Sequence, residues 1–349
     1  MVGGTRGRLV LGIETSCDET AAAVVADGTR VLSNVVHSQV ELHERFRGVV
    51  PEVASRSHMT RVLPIVRQAL DDAGTTPDEL DAVAVTTRPG MVGSLLVGIA
   101  AAKALAWCHG LPLIGVDHIQ AHVFASFMVE PDLPLPCVVL VASGGHTALY
   151  LVREPGLALR LGRTIDDAAG EALDKGAALL GLPYPGGPSI QRAAQGGDAR
   201  AIDLPRPMLG EGSLDFSFSG LKTALLYHLR GPGLTRPMPA LDARQLADCA
   251  ASYQAAVVET LVRKLVRARN AVPEARALAI GGGVARNELL RARLAGERRL
   301  AGLRMVFPPL ELCSDNGAMI AGLGDHLRTV RGQVDDLALD AVATSRSAP

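Results

Sequence analysis

A broad excess of positive charge is missing from this 349-residue chain, whose formal net charge is −1. Proteins that grip a polyanion through a wide basic face usually carry such an excess. Any nucleic-acid partner must therefore be held by a local patch or with help from other subunits. Cysteine pairing is missing too: Cys17, Cys108, Cys137, Cys249 and Cys313 are odd in number, scattered, and include no C-x-x-C. That excludes a disulfide framework and a thiolate zinc site, and points to a reducing compartment. The apolar run in MVGGTRGRLVLGIE is too short for a signal peptide, and no stretch approaches the roughly 18 uninterrupted apolar residues of a membrane span. The expectation is a cytoplasmic protein with no membrane partner. The two common phosphate loops are absent as well. "GGHTAL" and "GGGVARN" fit neither G-x-G-x-x-G nor G-x-x-x-x-G-K-[ST], which excludes Rossmann and P-loop sites.

What remains is 48% hydrophobic and 20% charged, a globular composition with length enough for two domains. Two segments repeat one another. "RLVLGIETSCDETAAAVVADGTRVLSNV" reads as strand, small-polar turn, strand (Ala21 to Ala26), Asp27-Gly28 turn and third strand. "PCVVLVASGGHTALYLVREPGLALRLGRT" has the same order, with Thr147 matching Thr20 and Glu154 to Gly156 matching the second turn. Each leads on to helices and further strands, which predicts a duplicated α/β chain. Apolar spacing predicts a helix over 58–73, and "TPDEL" supplies a capping box from Thr76 to Glu79. Helices are also predicted over 94–109, 243–271 and 315–330, with strands at "DAVAV", "LPLIGV", "ALAIGGG" and "RMVFPP". Beyond Gly332 the pattern weakens into a tail, and "TSRSAP" reads as frayed.

Both repeats put small polar residues in the turn between their first two strands. Turns such as "ETSCDET" and "SGGHT" offer backbone N–H groups and hydroxyls to an anion, although a single copy is equally a plain hairpin. Two copies at equivalent points would face each other across an interdomain cleft, and "IGGGVARN" adds a third glycine turn between a strand and a helix. Together they suggest an adenylate or other nucleotide held between two lobes. In "GVDHIQAHVFA", His118 and His122 fall four apart and share one face if the segment is helical. They supply half a metal site or nothing, since the glutamate of H-E-x-x-H is absent. "LCSDNGAMIAG" offers Asp315 as a third ligand, or as an ordinary helix N-cap beside Ser314. Asp117 is an orienting partner for His118 or another cap. Asp167, Glu171 and Asp174 present three carboxylates on one helical face, for ribose hydroxyls or for solvent. "FSFSGLKTA" is a capped helix start at Ser219 or a substrate loop.

These motifs occur with "VVPEVASRSH", "PGMVGSLLVG", "IDDAAGEALDK" and "YPGGP" in an order, over about residues 8 to 330, that resembles one family. It is the bacterial catalytic subunits that transfer a threonylcarbamoyl group to tRNA, a branch of the actin, sugar kinase and heat-shock chaperone superfamily. The resemblance implies two duplicated actin-like (ribonuclease H-like) lobes, each a mixed sheet flanked by helices, with an interdomain nucleotide cleft. The first lobe would span 8–130, completed by the helix 315–331, and the second 131–314, leaving 332–349 as a weakly structured tail. His118, His122 and Asp315 would bind one divalent metal, Fe2+ or Zn2+. Val141, Ala142, Ser143, Gly144, Gly145 and His146, with Asp174, Gly187 and Asn287, would bind threonylcarbamoyl-AMP, or ATP or ADP. Asp18 and Glu19 look like an acidic pair facing the same cleft, and one of them would serve as general base.

The implied reaction moves the threonylcarbamoyl group to the N6 amine of the adenosine 3′ of the anticodon in ANN-decoding tRNAs. The implied partners are tRNA, a non-catalytic paralogue and a small ATPase, with an upstream synthase supplying threonylcarbamoyl-AMP. Arg88, Arg47, Arg286 and Asp117 depart from the family's usual residues, three of them from glycine or small residues. They raise the alternative of a paralogue that carbamoylates a small molecule through a carbamoyl-adenylate. A non-catalytic ATP-binding switch is a third reading, and a sugar kinase would leave the histidine pair without a task.

Overall fold

A computed structural model describes residues 7–46, 48–208 and 210–344; Arg47 and the last five residues of the tail lie outside them. The chain divides into two compact units, one of residues 1–133, 154–158 and 314–349, the other of 134–153 and 159–313.

The first unit is built on strands β1 (Leu9–Glu14), β2 (Glu19–Ala26), β3 (Arg30–Ser38), β4 (Ala82–Arg88) and β5 (Leu113–Asp117). They lie in the order β3-β2-β1-β4-β5, with β1–β2 and β2–β3 antiparallel and β1–β4 and β4–β5 parallel. Asp27 and Gly28 take positive φ of 52° and 73°, the left-handed backbone for which this pair of residues is suited. Every residue of β1 is buried, as expected of a central strand covered on both faces. Its odd residues Leu9, Leu11 and Ile13 pack with Val62, Val66, Leu95 and Ile99. Those side chains come from helices α2 (Pro51–Ala73) and α3 (Val92–His109), which follow the short α1 (Val40–Glu44). Helix α2 begins seven residues earlier than its apolar spacing predicts, because Pro51 stands at its first position, where its fixed φ favours a start. The capping box holds a single turn, Pro77–Glu79. Helix α3 is long and apolar enough to cross a membrane by length and composition alone; Leu95, Ile99 and Ala102 sit in the core of this unit. Helix α4 (His118–Val129) follows β5 directly.

The second unit repeats the plan with β6 (Cys137–Ala142), β7 (Thr147–Glu154), β8 (Leu157–Arg163), β9 (Ala277–Gly281) and β10 (Arg304–Val306). Their order, β10-β9-β6-β7-β8, matches that of the first sheet strand for strand, with β6–β7 antiparallel and β6–β9 and β9–β10 parallel. Helices α5 (Ala169–Leu179), α6 (Gly186–Ala193), α7 (Ser219–Arg230), α8 (Ala243–Ala271), α9 (Glu288–Ala295) and α10 (Leu310–Cys313) flank it. Tyr253 and Leu261 of α8 pack with Leu140, Leu173, Phe216 and Phe218 at the centre of this core.

The last helix, α11 (Gly317–Arg331), returns to the first unit and packs on β1, β2 and β4. The contact is backbone on backbone. A Cβ on Gly12 would come within 2.2 Å of the Gly317 carbonyl oxygen, and one on Gly317 within 2.5 Å of the Ala23 nitrogen. Residues after Gly332 differ from the weak tail expected of the sequence. Asp335 N–H donates to the Leu113 carbonyl at 2.8 Å, Gly115 N–H donates to the Asp335 carboxylate, and Val342 N–H donates to the Thr87 carbonyl. The edge of β5 has free backbone groups, and this segment satisfies them.

Gly317→Ala should lower stability by about 1–3 kcal/mol through overpacking, read as a shift of the urea midpoint.

Candidate metal centre and phosphate-binding turns

Helix α4 starts where β5 ends, and Asp117 caps it by accepting from Ile119 N–H (2.9 Å) and Gln120 N–H (3.1 Å). The helical repeat then puts His118 and His122 on one face, both buried, with ring centroids 4.6 Å apart. Asp315 Oδ1 lies 3.1 Å from His122 Nε2 and 3.5 Å from His118 Nε2. One ligand atom from each of the three residues falls within 4.8 Å of the others. Ligands each about 2.1 Å from a shared ion stand roughly 3–4 Å apart, so small side-chain rotations close the set. The capping alternative for Asp315 fails, because Asn316 caps α11 and accepts from Met319 N–H. Two imidazoles and a carboxylate are the donors of a catalytic metal site with an open position. These residues could hold a divalent metal.

Electrostatics favour a cation there. Burial opposes a charged His118, but Glu14 and then Asp315 outweigh it and raise the imidazole to about 9. His122 is held below its ordinary value by burial. Burial, then Asp18 and Asp315, push the Glu19 carboxyl well above the usual carboxylate range, as expected where acids crowd together. The Cys17 thiol is pushed well up by burial and by Asp18, so it stays protonated and unreactive.

Two residues of this neighbourhood carried no role in the sequence reading. Glu14 ends β1 fully buried, with His118 Nδ1 2.9 Å from its Oε2. A carboxylate closing an otherwise apolar strand was the available signal. His58, in "VASRSH", is also buried, with Nδ1 2.8 Å from Thr20 Oγ1 and Nε2 2.9 Å from the Cys17 carbonyl oxygen. It fixes the turn that carries Asp18 and Glu19.

In the second unit, Val141 and Ala142 end β6, and Ser143 to His146 form the turn into β7. That turn closes on itself: Ser143 N–H donates to the His146 carbonyl at 2.7 Å, and His146 N–H to Ser143 Oγ at 3.1 Å. Gly144 and Gly145 are exposed, with nothing within 4 Å of their Cβ positions. The Gly282 turn ends the neighbouring β9, with φ +83° and no room for a Cβ against Ala142. Asn287 follows it, and its Oδ1 accepts from Leu290 N–H and Gln254 Nε2. Helix α5 touches the Gly283–Arg286 turn. Asp174 on that helix accepts from Gly186 N–H at 2.6 Å, next to Gly187 in the first turn of α6.

The three-carboxylate face needs correction. Lys175 pairs with Asp167 at 2.6 Å and Glu171 at 2.9 Å, so two of the three acids share one internal cation. "FSFSGLKTA" does start a helix, but Ser219 is its first residue and not its cap: Asp166 accepts from Phe218 N–H and Ser219 Oγ, both at 2.8 Å. Of the unusual residues, Arg88 Nε lies 3.8 Å from Asp117 Oδ2, so two departures from the family pattern meet each other. Arg286 is exposed, and Arg47 lies outside the described residues.

A family model described as tRNA N6-adenosine threonylcarbamoyltransferase matches residues 30–322. Curated relatives of that name include one from Moorella thermoacetica, 50% identical over 339 residues and 95% of each chain. Another, from Geobacillus kaustophilus, is 53% identical over 333 residues, again 95% of each. Among solved structures, HypF of T. kodakarensis is similar with a TM-score of 0.58 and 18% identity, over 92% of this chain and 48% of that one. Component A of the (R)-2-hydroxyglutaryl-CoA dehydratase of Acidaminococcus fermentans gives a TM-score of 0.53 at 13% identity, over 93% of this chain and 100% of that one. These two similarities concern the fold alone, the actin-like α/β architecture expected from the sequence.

Because His118 is raised to about 9, its stabilisation of chelator-treated protein is complete below about pH 6.5 and lost as pH rises to 9. The thermal midpoint should fall across that window, and His118→Gln should flatten it. Asp117→Asn should be near neutral and Asp117→Ala should cost about 1 kcal/mol, since only alanine removes the cap; urea unfolding measures both.

Proposed function

The chain belongs to the tRNA N6-adenosine threonylcarbamoyltransferase family, and from that membership we propose the reaction it catalyses. It transfers the threonylcarbamoyl group from threonylcarbamoyl-AMP to the N6 amine of the adenosine 3′ of the anticodon in ANN-decoding tRNAs. The observation that carries this reading is the 50% identity, across 95% of both chains, to a relative of that name. The small-molecule alternative has no comparable support, and the pairing of Arg88 with Asp117 removes part of the reason for raising it.

In this reading the bond from the N6 nitrogen to the carbamoyl carbon forms as the carbon–oxygen bond to phosphate breaks, and AMP leaves with the negative charge. The exposed Gly144–Gly145 turn presents backbone N–H groups to that phosphate. Asp174, Gly187 and Asn287 complete the adenylate contacts, with Val141, Ala142, Ser143 and His146 framing the turn. His118, His122 and Asp315 hold a divalent metal, iron or zinc, which when bound supplies Lewis-acid polarisation. Glu19 takes the N6 proton. Burial and Asp18 push its carboxyl up, and a carboxylate nearer the working pH is the stronger base. With a net charge of −1, the chain relies on a non-catalytic paralogue and a small ATPase to hold the tRNA.

Purified protein with those partners, threonylcarbamoyl-AMP and unmodified tRNA should form the modified adenosine and release AMP in equal amounts. His118→Ala should lose bound metal and at least about 100-fold in transfer rate. AMP release triggered by a metabolite, with no transfer to tRNA, would overturn the reading.

A further inference from the structure

Glu14 is a buried anion at the end of an apolar strand, where a carboxylate is costly unless every oxygen is used. Here the oxygens are used. Its Oε1 accepts from Ser16 N–H. Its Oε2 accepts from Thr86 Oγ1 at 2.6 Å and lies 2.9 Å from His118 Nδ1. The strand β1 that carries it is central in its sheet, between β2 and β4, and Thr86 comes from β4 itself. The carboxylate is therefore held by rigid backbone on two sides.

An ionised carboxylate only accepts, so the contact to His118 requires the proton on Nδ1. The lone pair is then on Nε2, the nitrogen that faces Asp315 at 3.5 Å. Ser16 Oγ, 3.2 Å from the same Nδ1, adds a second partner on that side. His122 has no equivalent: among the described residues its Nδ1 is buried without a hydrogen-bond partner. The two imidazoles are thus supported differently, and only one is backed by a carboxylate.

We propose that Glu14 is a positioning residue for the metal centre, fixing the tautomer and ring orientation of His118 so that Nε2 is presented as a ligand. The inference rests on the metal reading of His118, His122 and Asp315. The general pattern is a carboxylate behind a metal-bound imidazole, whose loss costs roughly 10- to 100-fold in metal affinity.

Glu14→Gln is the informative substitution. It keeps the volume, and the amide oxygen still accepts from Ser16 N–H. Its NH2 group now faces Nδ1 as a donor, which moves the imidazole proton to Nε2 and blocks the coordinating lone pair. Zinc affinity of the full-length protein, measured by competition with a chromophoric chelator, should fall roughly 10- to 100-fold. The chelator-treated variant should still unfold in urea as one cooperative transition, which marks it as folded. A well-folded Glu14→Gln variant with wild-type zinc affinity would overturn the proposal. Should that variant fail to fold, the zinc-loaded wild type answers instead by 15N NMR of its histidines. His118 should be protonated at Nδ1 and bound through Nε2, and the reverse assignment would sink the idea. Equal zinc stoichiometry in wild type and His122→Ala would instead remove the metal reading, a failure distinct from that of Glu14.

Discussion

Helix α11 lies so close on strands β1 and β2 that neither Gly12 nor Gly317 has room for a Cβ. The candidate metal centre depends on that contact. Asp315 stands two residues before Gly317, and Glu14 two residues after Gly12. The period of two along a strand puts Gly12 and Glu14 on the same face of β1. The face that receives the helix backbone therefore ends in the carboxylate that backs His118. Any side chain at either glycine would lift the helix and carry Asp315 away from both imidazoles.

Around that contact the protein concentrates charge of one sign. Glu14, Asp18, Glu19 and Asp315 all influence one another or the histidines. Burial, with Asp18 and Asp315 beside it, pushes Glu19 up. The two histidines respond in opposite senses because Glu14 bonds His118 alone, while burial and the neighbouring His118 charge lower His122. This asymmetry arises from placement within the fold, since the two imidazoles sit four residues apart on one helix. The polarity of the cluster suits a cation, and Asp117 adds to it while also capping the helix that carries both ligands. Arg88, set beside Asp117, offsets part of that added charge.

The duplicated plan was legible in the chain because strand alternation, turn glycines and small-polar turns recur in the same order in both halves. Both sheets follow it strand for strand. The long helix over Ala243–Ala271 was legible to the residue, since its Asp242 capping box and sustained apolar spacing mark both ends. The start of α2 was not, because its first turn is placed by Pro51 and not by an apolar stripe. The docking of residues 332–344 was hidden for a different reason: it rests on scattered backbone and side-chain hydrogen bonds to β4 and β5, which follow no periodic pattern.

At the site the division is sharper. The sequence by itself determined that His118 and His122 share a helical face, because the helical repeat is local. It also marked the glycine turn after β9, where Gly282 has a positive φ and no room for a Cβ against Ala142. Whether Asp315 meets the two histidines depended on residues some 190 positions away, and only the tertiary structure brought its Oδ1 to 3.1 Å from His122 Nε2. Glu14 likewise looked like the polar end of a strand until folding set it against His118. Local periodicity reports which side chains share a face. Which faces meet is decided by packing, and here the packing is a backbone contact that only glycine permits.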